Sequence, residues 1–158
     1  THREAGQNLD LSDEKPVVAG SFKPGNGWQE VKFNAPVRGQ YVCIEAVDAI
    51  DGKDMAAIAE MYLLDDKGER LSREPWTVMY ADSEDTEGVN RSADKTFDLQ
   101  ESTYWQTAPG VKFPHTVVID LGSSRNLSGF QYLPRMEAEV PGAIKNYKIY
   151  VKETPFKY

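Results

Sequence analysis

Apolar and polar residues alternate with a period of two along much of the chain, and nowhere convincingly with a period near 3.6. The alternation is clearest in Trp28-Gln-Glu-Val-Lys-Phe33 and in Ile144-Lys-Asn-Tyr-Lys-Ile-Tyr-Val151. Each puts its apolar side chains on one face, as a strand half-buried in a sheet requires. Strands are predicted over Val17–Phe22, Trp28–Phe33, Tyr41–Val47, Ala57–Leu64, Trp76–Tyr80, Thr116–Leu121, Leu127–Leu133 and Ile144–Val151. Turn residues cluster between them: Lys23-Pro-Gly-Asn-Gly27, Asp51-Gly52, Asp65-Asp-Lys-Gly68, Gly122-Ser-Ser124 and Pro141-Gly142. Asp48–Met61 holds several alanines, but glycine and aspartate breakers precede its apolar part. Ser92–Phe97 has room for one helical turn. About eight short strands between turns predict an all-β sandwich or jelly roll.

Two stretches stand outside this pattern. Residues 1–15 (THREAGQNLDLSDEK) are polar and aperiodic, and read as a flexible linker or tail. Residues 65–74 (DDKGERLSRE) are also linker-like and divide the folded part, 16–158, into 16–64 and 75–158. A chain of 158 residues suffices for one domain with a full core and is short for two.

Charge and composition narrow the function. The net charge is -7, from 18 basic and 25 acidic residues. An acidic chain without a basic stripe is a poor nucleic-acid binder. No apolar run approaches the ~20 residues of a spanning helix, so no membrane insertion is expected. The single cysteine, Cys43, excludes an internal disulfide, and its apolar setting Tyr41-Val-Cys-Ile44 predicts a buried, inert thiol. Two histidines, with no CxxC, HExxH or GxSxG motif, disfavour zinc hydrolases and histidine-dependent nucleophilic enzymes. His115, after Pro114 at a strand entry, reads as a packed or rim residue, and His2 as part of the tail. Asp82, Glu84, Asp85 and Glu87 read as a solvated acidic loop. Paired carboxylates can also hydrolyse glycosides or hold a cation, but nothing in the sequence sets two of them across a cleft.

Five ordered strings then make a family visible: Asn90-Arg-Ser-Ala-Asp-Lys-Thr-Phe-Asp98, Ser102-Thr-Tyr-Trp-Gln-Thr107, Pro114-His-Thr-Val-Val-Ile-Asp-Leu-Gly122, Ser128-Gly-Phe-Gln-Tyr-Leu-Pro-Arg135 and Ile144–Val151. Together they resemble the discoidin domain, or coagulation factor V/VIII type C domain, whose bacterial branch includes the family 32 carbohydrate-binding modules. The first portion, through Val18-Ala-Gly-Ser-Phe22, Trp28–Phe33, Gly39–Glu45 and Ala57-Ile-Ala-Glu60, resembles the strands that usually close this domain. Here they come first. The resemblance thus implies a discoidin-like, eight-stranded β-sandwich jelly roll that is circularly permuted, with 16–64 equivalent to the usual C-terminal strands and 75–158 to the N-terminal ones. A cut across two adjacent domains would give the same text, and a domain-swapped dimer the same contacts.

The resemblance also implies sites. The family's calcium loop maps to Lys95 and Gln100 through backbone oxygens, Asp98, Thr103, Ala59 through its carbonyl, and Glu60. These are hard oxygen donors of the kind calcium takes. The usual Asp-Gly-Asp is Asp98-Leu99-Gln100 here. The alternative is that Asp98 and Thr103 cap a turn and Glu60 is solvated. In galactose-binding relatives the sugar site uses an arginine, a histidine, an asparagine and an aromatic. Arg135 matches the arginine and Gln106 stands at the histidine. No asparagine occurs in Glu139–Gly142, and Met55 lies near the aromatic position, with Tyr104 a further rim candidate. Arg135 could instead tether its loop to Glu137 or Glu139. Trp105 reads as core. The sequons Asn90-Arg-Ser92 and Asn126-Leu-Ser128 matter only in a eukaryotic secreted chain, and the missing disulfide points to a bacterial one.

The expectation is a non-catalytic carbohydrate-binding module. Its partners would be a glycan and the catalytic domain of an exported bacterial glycoside hydrolase, in a secreted, periplasmic or cell-surface setting. The alternative is an accessory β-sandwich that packs on a catalytic domain and binds no sugar.

Overall fold

The segments of period two form strands because each can bury its apolar face only against a second layer. The computed structural model describes residues 2–3, 7–137 and 139–158. Among these residues eight strands occur: β1 (Val18–Ser21), β2 (Gln29–Ala46), β3 (Ala57–Ile58), β4 (Glu60–Leu64), β5 (Thr77–Ala81), β6 (Trp105–Gln106), β7 (His115–Leu133) and β8 (Asn146–Lys152). One 3-10 helix, Ala93–Phe97, falls where one helical turn was predicted. The all-β expectation holds, but the partition differs. Trp28–Phe33 and Tyr41–Val47 merge into β2, and Thr116–Leu121 and Leu127–Leu133 merge into β7.

The merger has a physical cause. The polar stretches read as breaks lie opposite each other, pairing Val37 with Leu127, Arg38 with Asn126 and Gly39 with Arg125. Their backbone groups bond to one another instead of turning. Register shifts flank this patch, between Lys32 and Val37 and between Gly39 and Tyr41. Such irregularities bend a strand and let it pass from one layer to the next. Gly39 is needed at the bend, because a Cβ there would lie 2.4 Å from Val151.

The layers follow from the pairing. The order β1-β8-β2-β7-β5 uses residues 41–46 of β2 and 115–120 of β7. The order β2-β7-β4 uses their other halves, 29–32 and 129–133. Val42, Ile44, Ile119 and Ile149 from the first set join Val31, Met61, Leu63, Phe130 and Tyr132 from the second in one core cluster. Each such side chain contributes ~1.5–3 kcal/mol of burial. Residues before 65 and after 75 therefore share one sheet and one core. β3 and β6 form a separate two-stranded ladder at the edge.

Both stretches read as linkers make contacts with the folded part. The opening residues that can be described are not loose. Leu9 and Leu11 pack on a second cluster, Cys43, Tyr80, Val118, Tyr150 and Phe156, on the outer face of the first strand set. Asp10 N–H donates to the Lys157 carbonyl at 2.9 Å, and Lys152 pairs with Glu14 at 2.8 Å. The continuous apolar runs at 42–44 and 117–119 leave apolar groups on both faces, so the outer face needs a cover. The remaining tail positions 1 and 4–6 lie outside the described residues. The stretch 65–74 is equally ordered. Asp65 accepts from the N–H groups of Lys67 and Glu69 at 2.8 and 3.0 Å, and Leu71 N–H bonds to the Leu63 carbonyl at 2.9 Å. Leu71 and Arg73 are buried. Among the described residues, no helix is long and apolar enough to cross a membrane.

Candidate functional site

The short strand β6 organises one end of the sandwich. Trp105 turns into the core, and its Nε1 donates to the Ser83 carbonyl at 3.0 Å. Gln106 is thereby aimed the other way, toward the loop after β7. Its Oε1 accepts from Arg135 Nη1 at 2.7 Å. Arg135 Nε donates to both Glu137 oxygens, at 3.2 and 3.1 Å, and its guanidinium stacks on Tyr104 at 4.2 Å. These bonds hold the Glu137 carboxyl below the usual carboxylate range. Tyr104 receives a second cation, Arg91, at 5.1 Å, and Arg91 pairs with Asp85 at 3.7 Å. A pocket of about 310 Å³ opens here, lined by Glu101, Ser102, Tyr104, Met136 and Glu137. Arg91 Nε is buried without a hydrogen-bond partner, and such a donor costs free energy unless a ligand or water meets it.

Of the four expected sugar-contacting residues, Arg135, Gln106 and Tyr104 thus converge. Met55 is half-buried just before β3, whose Ala57 pairs with Gln106. Sequence reasoning gave no role to Arg91. It lies 44 positions from Arg135 by their numbering, and no local spacing links them. Glu137 was named as a tether, and it does bind Arg135. The arrangement alternates donors (Arg135, Arg91) with acceptors (Asp85, Glu137) around an aromatic ring. Sugar hydroxyls, which donate and accept together, are matched by such a surface.

The solvated-loop reading of Asp82, Glu84 and Asp85 is overturned. The Glu84 side chain is only 1% exposed. It accepts from Ala93 N–H at 2.7 Å and from the backbone N–H of His2 at 2.6 Å, and it meets His2 Nδ1 at 2.7 Å. His2 therefore has a partner. Asp82 accepts from Thr116 N–H at 2.7 Å and meets His115 Nδ1 at 2.8 Å. The carboxylates are drawn inward because backbone N–H groups near the 3-10 helix and the start of β7 need acceptors. His115 is fully buried, and its Nε2 contacts the Asp54 carbonyl at 2.6 Å.

Of the expected metal ligands, Asp98, Gln100 and Thr103 are joined by hydrogen bonds. Glu60, at the head of β4, is 2% exposed, so the solvated alternative fails. The Asp98 carboxyl is close enough to raise its pKa. Asp98 in turn accepts from Gln100 N–H at 3.1 Å and from the Thr103 hydroxyl. The Gln100 carbonyl takes the Thr103 hydroxyl at 3.1 Å. Leu99 supplies the turn with a positive φ of 66°, where the family's pattern has glycine. Burial pushes the Glu60 carboxyl up to about 7. A hydrogen bond from Arg73 opposes that rise, and Asp98 adds to it. Glu60 Oε1 is buried with no partner. A buried carboxylate oxygen without a partner, with a second carboxyl near enough to raise its pKa, is chemistry that a cation would relieve. Among the described residues no three acidic, histidine or thiol groups cluster, so the donors are two carboxylates plus hydroxyl and carbonyl oxygens. That set suits a hard cation rather than zinc. Ala59 and Lys95 adjoin it in sequence; the Ala59 N–H is used by the Leu133 carbonyl at 2.9 Å. The unforeseen residue is Arg73, which pairs with Glu60 through a buried guanidinium and also reaches the Met61 carbonyl at 3.2 Å.

Comparison with known proteins adds a family. The model of the F5/8 type C domain matches residues 79–156. A galactose oxidase of Gibberella zeae is 30% identical over 88 residues, covering 53% of this chain and 12% of that protein. A sialidase of Micromonospora viridifaciens is 31% identical over 86 residues, covering 51% of this chain and 13% of that protein. The matched stretch is thus a small part of either relative's length.

Proposed function

Over residues 79–156 the chain belongs to the F5/8 type C, or discoidin, domain family, and from that premise we propose that it is a non-catalytic carbohydrate-binding module of a larger exported enzyme. The observation that carries the reading is the convergence of Arg135, Gln106 and Tyr104 with Arg91, Asp85 and Glu137 at one end of the sandwich. The module would act by proximity, raising the effective concentration of an attached catalytic domain at a glycan. The family's association with exported bacterial glycoside hydrolases supports a secreted, periplasmic or cell-surface setting, and the sialidase relative supports attachment to an enzyme that acts on glycans.

Calcium is the proposed ion at Glu60, Asp98 and Thr103, with the carbonyls of Ala59, Lys95 and Gln100. Its role would be structural, tying β4 to the loop after the 3-10 helix. We also propose that the order of strands is circularly permuted. The pairing of β1 and β2 with β8, and of β2 and β4 with β7, supports this, since strands from both portions complete one sheet.

One observation favours a second reading. Nε, Nη1 and Nη2 of Arg135 all carry hydrogen bonds within the chain, so the residue could serve only to tether its loop in an accessory domain without sugar. A glycan array in calcium, with Arg135→Ala alongside, separates the two. Binding lost in the variant supports the lectin-like module. No binding by a folded wild type rejects it in favour of the accessory domain.

A further inference from the structure

The outer face of the β2-β7-β4 set carries a second cluster of aromatic and cationic side chains. Trp28 precedes β2 and is 37% exposed, whereas Trp76 and Trp105 are buried. Tyr62 on β4 lies beside it, with ring centroids 5.7 Å apart. Over both rings sits the guanidinium of Arg70, 4.8 Å from Trp28 and 4.0 Å from Tyr62. Arg73 faces the same tyrosine at 3.8 Å and donates to its hydroxyl at 2.9 Å.

Arg70 is held from three sides. The two rings fix its plane, and its Nε donates to Gln131 Oε1 at 2.7 Å. Gln131 is fixed in turn by donating to Glu30 at 2.8 Å. Yet among the described residues Arg70 has no carboxylate within ion-pair distance, and Nη1 and Nη2 have no hydrogen-bond partner. In a chain with 25 acidic residues, a preorganised guanidinium left without an anion is the feature to explain. A planar fork with two free N–H edges matches a carboxylate bidentately. An exposed indole beside it offers a flat apolar surface for the C–H face of a pyranose.

We propose that this face is a second sugar subsite, specific for a carboxylate-bearing sugar, with Arg70 receiving the carboxylate and Trp28 stacking on the ring. A small pocket of about 90 Å³ lies there, lined by Trp28, Tyr62, Arg70, Arg73 and Glu101 among others. Glu101 also lines the pocket beside Tyr104, so one acidic oligosaccharide can run from Arg135 to Arg70, with Glu101 accepting from hydroxyls between them. The inference rests on the reading of the chain as a sugar-binding module, but on different residues.

The test titrates the calcium-loaded chain with trigalacturonate and with neutral trigalactose, followed by tryptophan fluorescence, which among the three tryptophans favours the exposed Trp28. The expected result is a saturable change with trigalacturonate at least tenfold tighter than with trigalactose, weakening as salt rises. Arg70→Met and Arg70→Lys each lose tenfold or more for the acidic sugar, the lysine because a point charge lacks the planar fork. Binding by Trp28→Ala, read by calorimetry, falls similarly. Circular dichroism and melting confirm that each variant is folded. Equal affinity for both sugars, or Arg70→Met within twofold of wild type, overturns the subsite, as does no trigalacturonate binding by a folded wild type. Loss in Arg135→Ala with Arg70→Met unaffected rejects the subsite while keeping the module. Loss in Arg70→Met with Arg135→Ala unaffected keeps the subsite and rejects the loop site.

Discussion

His115→Phe tests whether a buried charge fastens the loop that carries Met55. The imidazole is fully buried between two acceptors, Asp82 Oδ2 at 2.8 Å and the Asp54 carbonyl at 2.6 Å. Both ring nitrogens face acceptors, so the cationic ring satisfies both and a neutral ring satisfies one. Burial alone would lower the pKa. The hydrogen bonds to Asp82 and Asp54 outweigh it, and the pKa is raised above 6.5. The folded state therefore keeps its proton to a higher pH than the unfolded chain. The stabilisation is fully present below the unfolded value, ~6.5, and is lost as pH rises through the folded pKa. Hydrogen bonds to a charged group contribute ~1.5–3 kcal/mol each. Phenylalanine fills most of the volume, so little cavity cost is added. The variant should lose about 3 kcal/mol at pH 6, or roughly 6–12 °C for a chain of this size. At pH 9 the gap should be narrower than at pH 6, because the charged bonds weaken as pH rises toward and through the folded pKa. Urea unfolding at both pH values, read by tryptophan fluorescence, measures this. A loss under ~1 kcal/mol at pH 6, or wild-type and variant curves running parallel with pH, refutes the reasoning.

Three further outcomes follow from the same structure. Chelation with EGTA should lower the melting temperature, since an ion at 100 times its Kd stabilises by about 2.7 kcal/mol, and Asp98→Asn should abolish the calcium-dependent shift. An unchanged melting curve rejects the metal site. Tyr132→Phe should cost about 2 kcal/mol in denaturant titrations, because the buried hydroxyl donates to the Ala57 carbonyl at 2.9 Å and accepts from Ile144 N–H at 3.1 Å. A neutral substitution would mean that water replaces both bonds. Gly142→Ala should destabilise by about 2 kcal/mol or more, combining a left-handed backbone penalty with overlap. There φ is +75° and a Cβ would lie 3.0 Å from Ala57 N. Thermal melting that matches wild type would show that the loop can relax.

Much of the architecture was legible because period two records which face of a strand is buried. Val31 and Phe33 in β2, and Ile149 in β8, point inward as their alternation requires. What periodicity does not record is which strand pairs with which. The stretch 34–40 lies between predicted strands and Gly122-Ser-Ser124 reads as a turn when taken alone, yet both stretches continue as strand because each finds the other opposite. The acidic loop shows the same limit. Asp82, Glu84 and Asp85 look solvent-bound by composition, yet Glu84 is buried because Ala93 N–H and His2 supply its hydrogen bonds.

The candidate sites divide likewise. The ordered strings from Asn90 to Val151 pointed to the family and to the candidate positions Arg135, Gln106 and Asp98, and the string Ala57-Ile-Ala-Glu60 to Glu60. Tertiary structure alone decided what surrounds them: Arg73 against Glu60, Arg91 and Asp85 beside Gln106, and Arg70 over Trp28 and Tyr62. The sequence carries the short-range terms, namely strand period, turn chemistry and motif spacing. Side chains far apart in the chain meet only when strand register and loop path are fixed. The hydrogen bonds and stacking between them depend on separations of a few ångströms that no linear pattern encodes.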